Sequence, residues 1–229
     1  MNNLTGYMEL ERKIGYTFRD QALLRQALTH SSFSNEEKQC KVEDYERLEF
    51  LGDAVLELAV SEHLYTEQPN MYEGNMTKTR ASLVCESTLA ICARNIKLEE
   101  YILLGKGEDL TGGRHRDSIV SDVFEAVIGA IYLDGGFEEA RKYVHQFVLT
   151  DIEDKILFYD SKTILQERIQ QKGGKLTYEL LEEIGPAHER TYRVQAMVDG
   201  IKVSEGMGRT KKSAEQQAAY NVLTTLNDK

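Results

Sequence analysis

The apolar residues of this chain recur at helical spacing up to residue 157 and turn to alternation soon after residue 175, a change of pattern that marks a boundary between two domains. Leu23, Leu24, Ala27 and Leu28 predict a helix over 19–29. The same spacing predicts helices over 44–67, 78–94, 118–133 and 137–155. Polar or glycine-bearing joints separate them, as at Gln68-Pro69-Asn70 and Asp134-Gly135-Gly136. Residues 161–172 form one more amphipathic helix (Ile164, Leu165, Ile169), stopped by Gly173-Gly174. Leu176 then opens an alternating segment that ends at Gly185-Pro186. Tyr192, Val194, Ala196 and Val198 share one side of a strand over 191–198, Asp199-Gly200 is a hairpin turn, and 201–205 returns as a third strand. Ala214, Ala218, Val222 and Leu226 mark a closing helix. The expectation is an all-α domain over residues 1–157, a short joint at 158–161, and a small α+β domain of order α-β-β-β-α over 162–229.

Several classes drop out. The longest apolar run, residues 126–133, is eight residues long, against the roughly 20 of a membrane-spanning helix. The stretch before Arg19 lacks the apolar core of a secretory signal, so the two glycosylation sequons at Asn3 and Asn75 read as chance. Cys40, Cys85 and Cys92 show no CxxC spacing; Cys85 and Cys92, seven apart, share a helical face and read as buried thiols of a cytoplasmic protein. The net charge of −10 argues at first against a nucleic-acid partner. Its distribution reverses that argument: residues 1–159 carry 17 basic and 28 acidic side chains, net −11, while residues 160–229 carry 11 and 10, net +1.

The acids are patterned. In residues 45–60, Glu46, Glu49, Asp53 and Glu57 fall within about 80° on a helical wheel. Leu48, Leu51, Val55, Leu58 and Ala59 lie opposite, with Leu56 and Val60 flanking the stripe. In residues 121–130, Asp122 and Glu125 share a face with Gly129, while Val120, Val123, Phe124, Val127 and Ile131 form the core side. Small residues at 126 and 129 let another helix approach closely. Partly buried carboxylates are forced towards protonation unless a cation compensates. Pattern alone leaves two readings open: solvated helix faces, or four carboxylates converging on a hard divalent cation. Other chemistries lose support. No histidine has a glutamate three residues before it, as a carboxylate-bridged di-iron bundle needs. HExxH is absent, and Gly105-Lys106-Gly107 and Gly206-Met207-Gly208 complete neither a P-loop nor a dinucleotide fingerprint, so no nucleotide cofactor is expected.

The segment from Glu46 to Leu56, ERLEFLGDAVL, resembles the signature of the ribonuclease III family, and Ser121 to Ala126, SDVFEA, resembles its second acidic motif. Leu104–Glu108 and Gly112–Arg114 resemble the segments between. The C-terminal unit resembles a double-stranded-RNA-binding domain, with TILQE at 163–167 and GMGRTKKSA at 206–214 in the expected places. The likeness spans nearly the whole chain and is to the short bacterial type.

The resemblance implies a Mg²⁺-dependent endoribonuclease of double-stranded RNA, with Mn²⁺ substituting, acting as a cytoplasmic homodimer and leaving 5′-phosphate and 3′-hydroxyl ends. Processing of ribosomal RNA precursors, messenger RNAs and transfer RNAs follows from it in the same way. Glu49, Asp53, Asp122 and Glu125 fall on the family's metal-binding carboxylates, with Asp53 and Glu125 the catalytic pair. Glu46 and Glu73 match acids near the cleavage site, and Phe50 matches an aromatic at the dimer interface. Glu57 has no counterpart in the motif. For RNA, Gln166, Gln170 and His188 match minor-groove contacts. Arg209, Thr210, Lys211 and Lys212 open the last helix, where positive side chains and the helix dipole together suit a phosphate. Lys78, Arg80, Lys106, Arg114 and Arg116 are candidate backbone contacts. The alternative is a double-stranded-RNA-binding protein of the same fold that does not cut. A helical scaffold with an acidic docking face leaves the C-terminal module unexplained.

Overall fold

A computed structural model describes residues 3–36, 43–186 and 190–227; Cys40 and His188 lie outside the described residues. Tertiary contacts divide the chain between Ile152 and Glu153. The first unit contains α1 (Asn3–Ile14), α2 (Gln21–Ala27), α3 (Ser31–Glu36), α4 (Glu46–Glu67), α5 (Glu73–Leu83), α6 (Glu86–Asn95), α7 (Lys106–Leu110), α8 (Asp117–Gly135) and α9 (Phe137–Phe147). Single 3₁₀ turns at Leu98–Tyr101 and Gly113–His115 flank α7.

The most apolar segment of the sequence becomes the central helix. Val120, Val123, Phe124, Val127 and Ile131 of α8 are all fully buried, as their spacing predicts, and Ile128 and Ala130 join them. A helix apolar around most of its circumference has to be covered on most sides, and α2, α4, α6 and α9 pack around this one. Asp134, near its end, accepts bonds from the Tyr16 hydroxyl at 2.6 Å and the backbone N–H groups of Arg19 and Asp20, both at 2.9 Å. These tie the α1–α2 connection to α8.

Three expectations need correction. First, α4 is rotated from its expected orientation. Leu56 and Val60 are fully buried, whereas Leu58, placed by the wheel on the core side, is 56 % exposed. The reason is Gly52, considered below. Second, residues 78–94 form two helices. Cys85 takes an extended backbone as the N-cap residue of α6, and the Thr88 hydroxyl donates to the Ser82 carbonyl across the break at 2.7 Å. Cys92 is buried, and Cys85, outside the helix proper, only partly so. Third, the helix expected over 137–155 stops at Phe147. Asp151 adopts a left-handed backbone with φ 51°, and β-branched Val148 and Thr150 lie in the break.

The second unit holds most of α10 (Ile152–Tyr159), then α11 (Ser161–Gln171), β1 (Leu176–Ile184), β2 (Thr191–Val198), β3 (Ile201–Gly208) and α12 (Lys211–Asn227). The strands form one antiparallel sheet in the order β1-β2-β3. Leu165, Leu176, Ala196, Ala218, Ala219, Val222 and Leu223 make its core. β3 extends past Glu205 through Gly206, where a Cβ would stand 2.3 Å from the Ala214 oxygen and the Ala218 nitrogen; glycine here lets the strand lie directly on α12. Residues 158–161, read from sequence as the joint, are bound into this unit. The Gln216 amide donates to the carbonyls of Phe158 and Tyr159, both at 2.9 Å, and Ser161 Oγ donates to the Gln216 carbonyl at 2.9 Å. No helix among the described residues is long and apolar enough to cross a membrane.

Candidate metal centre and RNA-binding surface

α4 and α8 touch backbone to backbone. A Cβ on Gly52 would lie 1.8 Å from the Glu125 carbonyl oxygen, and one on Gly129 would lie 2.3 Å from that of Leu48. Glycine in mid-helix costs about 0.5–1 kcal/mol relative to alanine, so two such residues at one crossing mark a place where proximity matters. That proximity sets the acids. Glu49 from α4 and Asp122 and Glu125 from α8 each present a carboxylate oxygen, and the three oxygens lie within 4.8 Å of one another. Among the described residues this is the one group of three or more potential ligands so placed.

The electrostatics follow from burial and like charge. Burial first, then the charges of Asp53, Glu49 and Asp122, push the Glu125 carboxyl up to about 8. Burial, followed by Asp122, Glu46 and Asp53, pushes Glu49 up to about 7. Asp53 is also raised, by burial and then Glu57. Burial raises Asp122 as well, opposed by a hydrogen bond from Tyr45, by the nearby His30 and by Ser121. The charges acting most strongly on Glu49 and Glu125 are therefore all negative. This favours a cation at the centre, and the donors are oxygen only, which suits Mg²⁺ or Mn²⁺ over softer metals.

Not every acid expected at the site joins the three. Asp53 is exposed and lies one turn beyond Glu49; its charge reaches Glu125, yet its oxygens are outside the close group. Glu46 is exposed and acts on Glu49 by charge. Glu73 opens α5 and lines a cavity of about 350 Å³ with Ser61, Leu64, Tyr65, Met76, Thr77 and Arg80. Ser61 follows Glu49 by 12 residues of α4, roughly 18 Å along the axis, so Glu73 sits against the far half of that helix. Phe50 is 83 % exposed.

Sequence reasoning missed Gly52 and Tyr45. The glycine carried a signal, a helix-weakening residue within an otherwise strongly apolar helix. Tyr45 carried none: its burial and its bond to Asp122 depend on the tertiary fold. Of the basic residues in this unit, Lys78 and Lys106 are exposed. Arg80 donates to Ser61 Oγ at 2.9 Å. Arg114 is occupied internally, by Asp109 and by the carbonyls of Glu99 and Ile102, both at 2.8 Å, and Arg116 pairs with Glu108 at 2.6 Å.

In the second unit, Thr210 caps α12. Its Oγ1 accepts from the Ser213 N–H at 3.0 Å, and Ser213 Oγ accepts from the Thr210 N–H at 3.0 Å, a reciprocal arrangement that satisfies the helix start. Arg209, Lys211 and Lys212 around this start are exposed. Lys211 lies 3.8 Å from Glu183 and 5.8 Å from the centre of the Tyr192 ring. Gln170 of α11 is exposed and Gln166 half-buried.

Comparison with known proteins agrees across both units. Residues 20–152 match the family described as Ribonuclease-III-like, and residues 161–226 match the double-stranded RNA binding motif. A protein named Ribonuclease 3 from Caldanaerobacter subterraneus subsp. tengcongensis is 47% identical over 95% of this chain and 96% of its own length. Another from Geobacillus thermodenitrificans is 48% identical over 96% and 91%. A solved nuclease domain of ribonuclease III from Campylobacter jejuni, described by structural flexibility in a region involved in dimer formation, is 43% identical. It covers 61% of this chain and 94% of its own, with a TM-score of 0.57.

Proposed function

The chain belongs to the ribonuclease III family and is an endoribonuclease of double-stranded RNA, and we propose that Glu49, Asp122 and Glu125 hold the divalent metal on which its phosphodiester hydrolysis depends. The observation that carries this reading is the convergence of three carboxylate oxygens, two of them on Glu49 and Glu125, whose carboxyls burial and neighbouring acids raise to about 7 and about 8. When bound, a divalent metal supplies an activated water and stabilises charge on the leaving 3′ oxygen. Glu49 and Glu125, the carboxyls raised furthest, release protons to receive it. Asp53, one turn beyond Glu49 on α4, in this reading forms the catalytic pair with Glu125. The reading takes Mg²⁺ as the metal, with Mn²⁺ substituting, and 5′-phosphate and 3′-hydroxyl ends as products. The substrates it implies are duplexes in ribosomal, messenger and transfer RNA precursors in the cytoplasm.

The chain works as a homodimer in this reading. Phe50, Leu58 and Tyr65 leave an exposed apolar line along α4, at 83, 56 and 76 % exposure, and such a line favours burial against a second copy. Glu73, remote from the acids of its own chain, is then brought near a cleavage site by the dimer, with Glu46 at the rim. The second unit docks the duplex. Lys211, Lys212, Arg209 and the capped start of α12 take phosphates, and Gln166, Gln170 and His188 reach minor grooves, by shape and 2′-hydroxyls over sequence. Nuclease and RNA-binding functions divide between the two units, whose boundary falls between Ile152 and Glu153.

The test is Glu125→Gln, assayed by cleavage of a long duplex RNA in Mg²⁺ with an EDTA control. The variant is expected to retain duplex binding in Ca²⁺ while cleavage falls by orders of magnitude. Full cleavage by the variant, or none by wild type in Mg²⁺ or Mn²⁺, would sink the assignment; the second outcome is the one expected of a non-cleaving binding protein.

A further inference from the structure

We propose that Tyr45, backed by His30, is a positioning residue that fixes the rotation of the Asp122 carboxylate and so sets the affinity of the metal centre. The proposal rests on reading Glu49, Asp122 and Glu125 as that centre.

Tyr45 immediately precedes α4 and is only 4 % exposed. Its hydroxyl donates to Asp122 Oδ2 at 3.3 Å, across 77 residues of sequence. A buried phenol needs a partner for its one polar atom, and here the partner is a member of the three-carboxylate group. A carboxylate swings readily about its terminal torsion, which is broad and roughly twofold. A hydroxyl bonded to one oxygen restrains that freedom and favours one rotation of the carboxylate at the cation site. The donor is neutral, so it orients the acid without neutralising it, as a lysine or arginine at this place would.

Tyr45 is in turn held on two sides. Its backbone N–H donates to the Thr29 carbonyl at 2.9 Å, and the His30 ring lies 5.7 Å from its own, tilted by 53°. His30 is pinned from the far side. Its Nδ1 is 2.7 Å from Ser32 Oγ and accepts from the Ser32 N–H at 3.1 Å. Its backbone N–H donates to the Leu103 carbonyl at 3.0 Å. Ser32 Oγ also accepts from the Gly105 N–H at 2.9 Å. A continuous set of bonds and ring packing therefore runs from the Gly105 backbone through Ser32, His30 and Tyr45 to Asp122. Groups that orient a metal's ligands commonly affect affinity or activity by about 10–100-fold.

The test is Tyr45→Phe, which keeps the buried ring and removes only the hydroxyl. Mn²⁺ binding is measured on the RNA-free protein by electron paramagnetic resonance, alongside the Mg²⁺ concentration that half-activates single-turnover cleavage at saturating duplex. Both are expected to weaken by about tenfold, with duplex retention in Ca²⁺ unchanged. His30→Ala leaves the hydroxyl bond in place but loosens the ring that makes it, and it also removes the His30 charge near Asp122, which by itself would favour a cation. A weakening of both readouts, smaller than in Tyr45→Phe, is the expected result and reports the lost packing. Unchanged Mn²⁺ affinity in both variants overturns the positioning role. Asp122→Asn separates the two readings. If it loses Mn²⁺ while Tyr45→Phe and His30→Ala do not, only the positioning role falls; if it too binds Mn²⁺ like wild type, the metal centre itself is wrongly placed.

Discussion

Gly52 lies so close against Glu125 that a Cβ at residue 52 would stand 1.8 Å from the Glu125 carbonyl oxygen. The obstacle is helix backbone, which does not rotate away as a side chain does. Gly52→Ala must therefore push α4 from α8, and with it Glu49 from Asp122 and Glu125. Overpacking of a well-packed core costs about 1–3 kcal/mol, and a backbone clash belongs at or beyond the upper end. The expected outcome is a lower midpoint in urea unfolding together with weaker Mn²⁺ binding. Wild-type values for both would mean that the crossing relaxes freely and does not position the acids.

The raised carboxyls make a signed prediction about pH. Glu125 sits at about 8 and Glu49 at about 7 in the folded chain, whereas both return to about 4.3 on unfolding. Between these limits the native state binds more protons than the unfolded one, so stability falls as pH rises. Metal-free protein in EDTA is expected to lose melting temperature progressively through the window between the unfolded and folded values, ending near pH 8. Glu125→Gln, with no proton to lose there, is expected to show a shallower decline. Saturating Mg²⁺ is expected to raise the wild-type melting temperature more at pH 8 than at pH 6, because cation binding and proton loss are linked. Parallel thermal curves for wild type and Glu125→Gln in EDTA would contradict the buried position given to this acid.

Much of this was legible in the sequence, and the exceptions have physical causes. The core face of α8 follows from period alone, because Val120, Val123, Phe124, Val127 and Ile131 all point to one packed interior. The face of α4 does not. Phe50 and Leu58 carry the same apolar signal as Leu56 and Val60 yet stay exposed within one chain, and Gly52, the true contact, carries no apolar signal. The break before α6 contains neither glycine nor proline; it is held by a bond from Thr88 to Ser82 that no propensity encodes. The acid motif offered four metal-binding carboxylates with Asp53 and Glu125 as the catalytic pair, while three-dimensional packing separates Asp53 from the close three. The net charge of −10 hides a distribution in which all of the excess acid lies before residue 160.

The exposed apolar line on α4 predicts a specific dependence on assembly. Burying a phenylalanine side chain contributes roughly 1.5–3 kcal/mol, and a symmetric interface counts Phe50 twice. Phe50→Glu is expected to convert a dimer to a monomer in sedimentation velocity while leaving the melting of the chain nearly intact, since the residue contributes little to the chain's own core. Cleavage is expected to fall with dimer content and to recover partly at high protein concentration. A monomeric wild type, or a dimeric Phe50→Glu, would remove this face from the interface.

The start of α12 predicts how RNA affinity responds to salt. Removing one phosphate-binding cation should reduce the slope of log affinity against log salt by roughly 0.9, the value for each neutralised phosphate on duplex DNA. Lys212 and Lys211 do not stand equally. Lys211 already has Glu183 at 3.8 Å as a competing partner, so its move to a phosphate exchanges one ionic partner for another. Lys212→Ala is therefore expected to weaken duplex binding more than Lys211→Ala, and uniformly across sequences, because phosphate contacts carry no base information. Thr210→Ala, which removes the cap, is expected to cost about 1 kcal/mol of stability in the RNA-binding unit and to weaken duplex binding with little change in the salt slope. Filter binding at several salt concentrations separates these effects. A salt slope unaltered in Lys212→Ala would place the phosphate contact elsewhere on the surface.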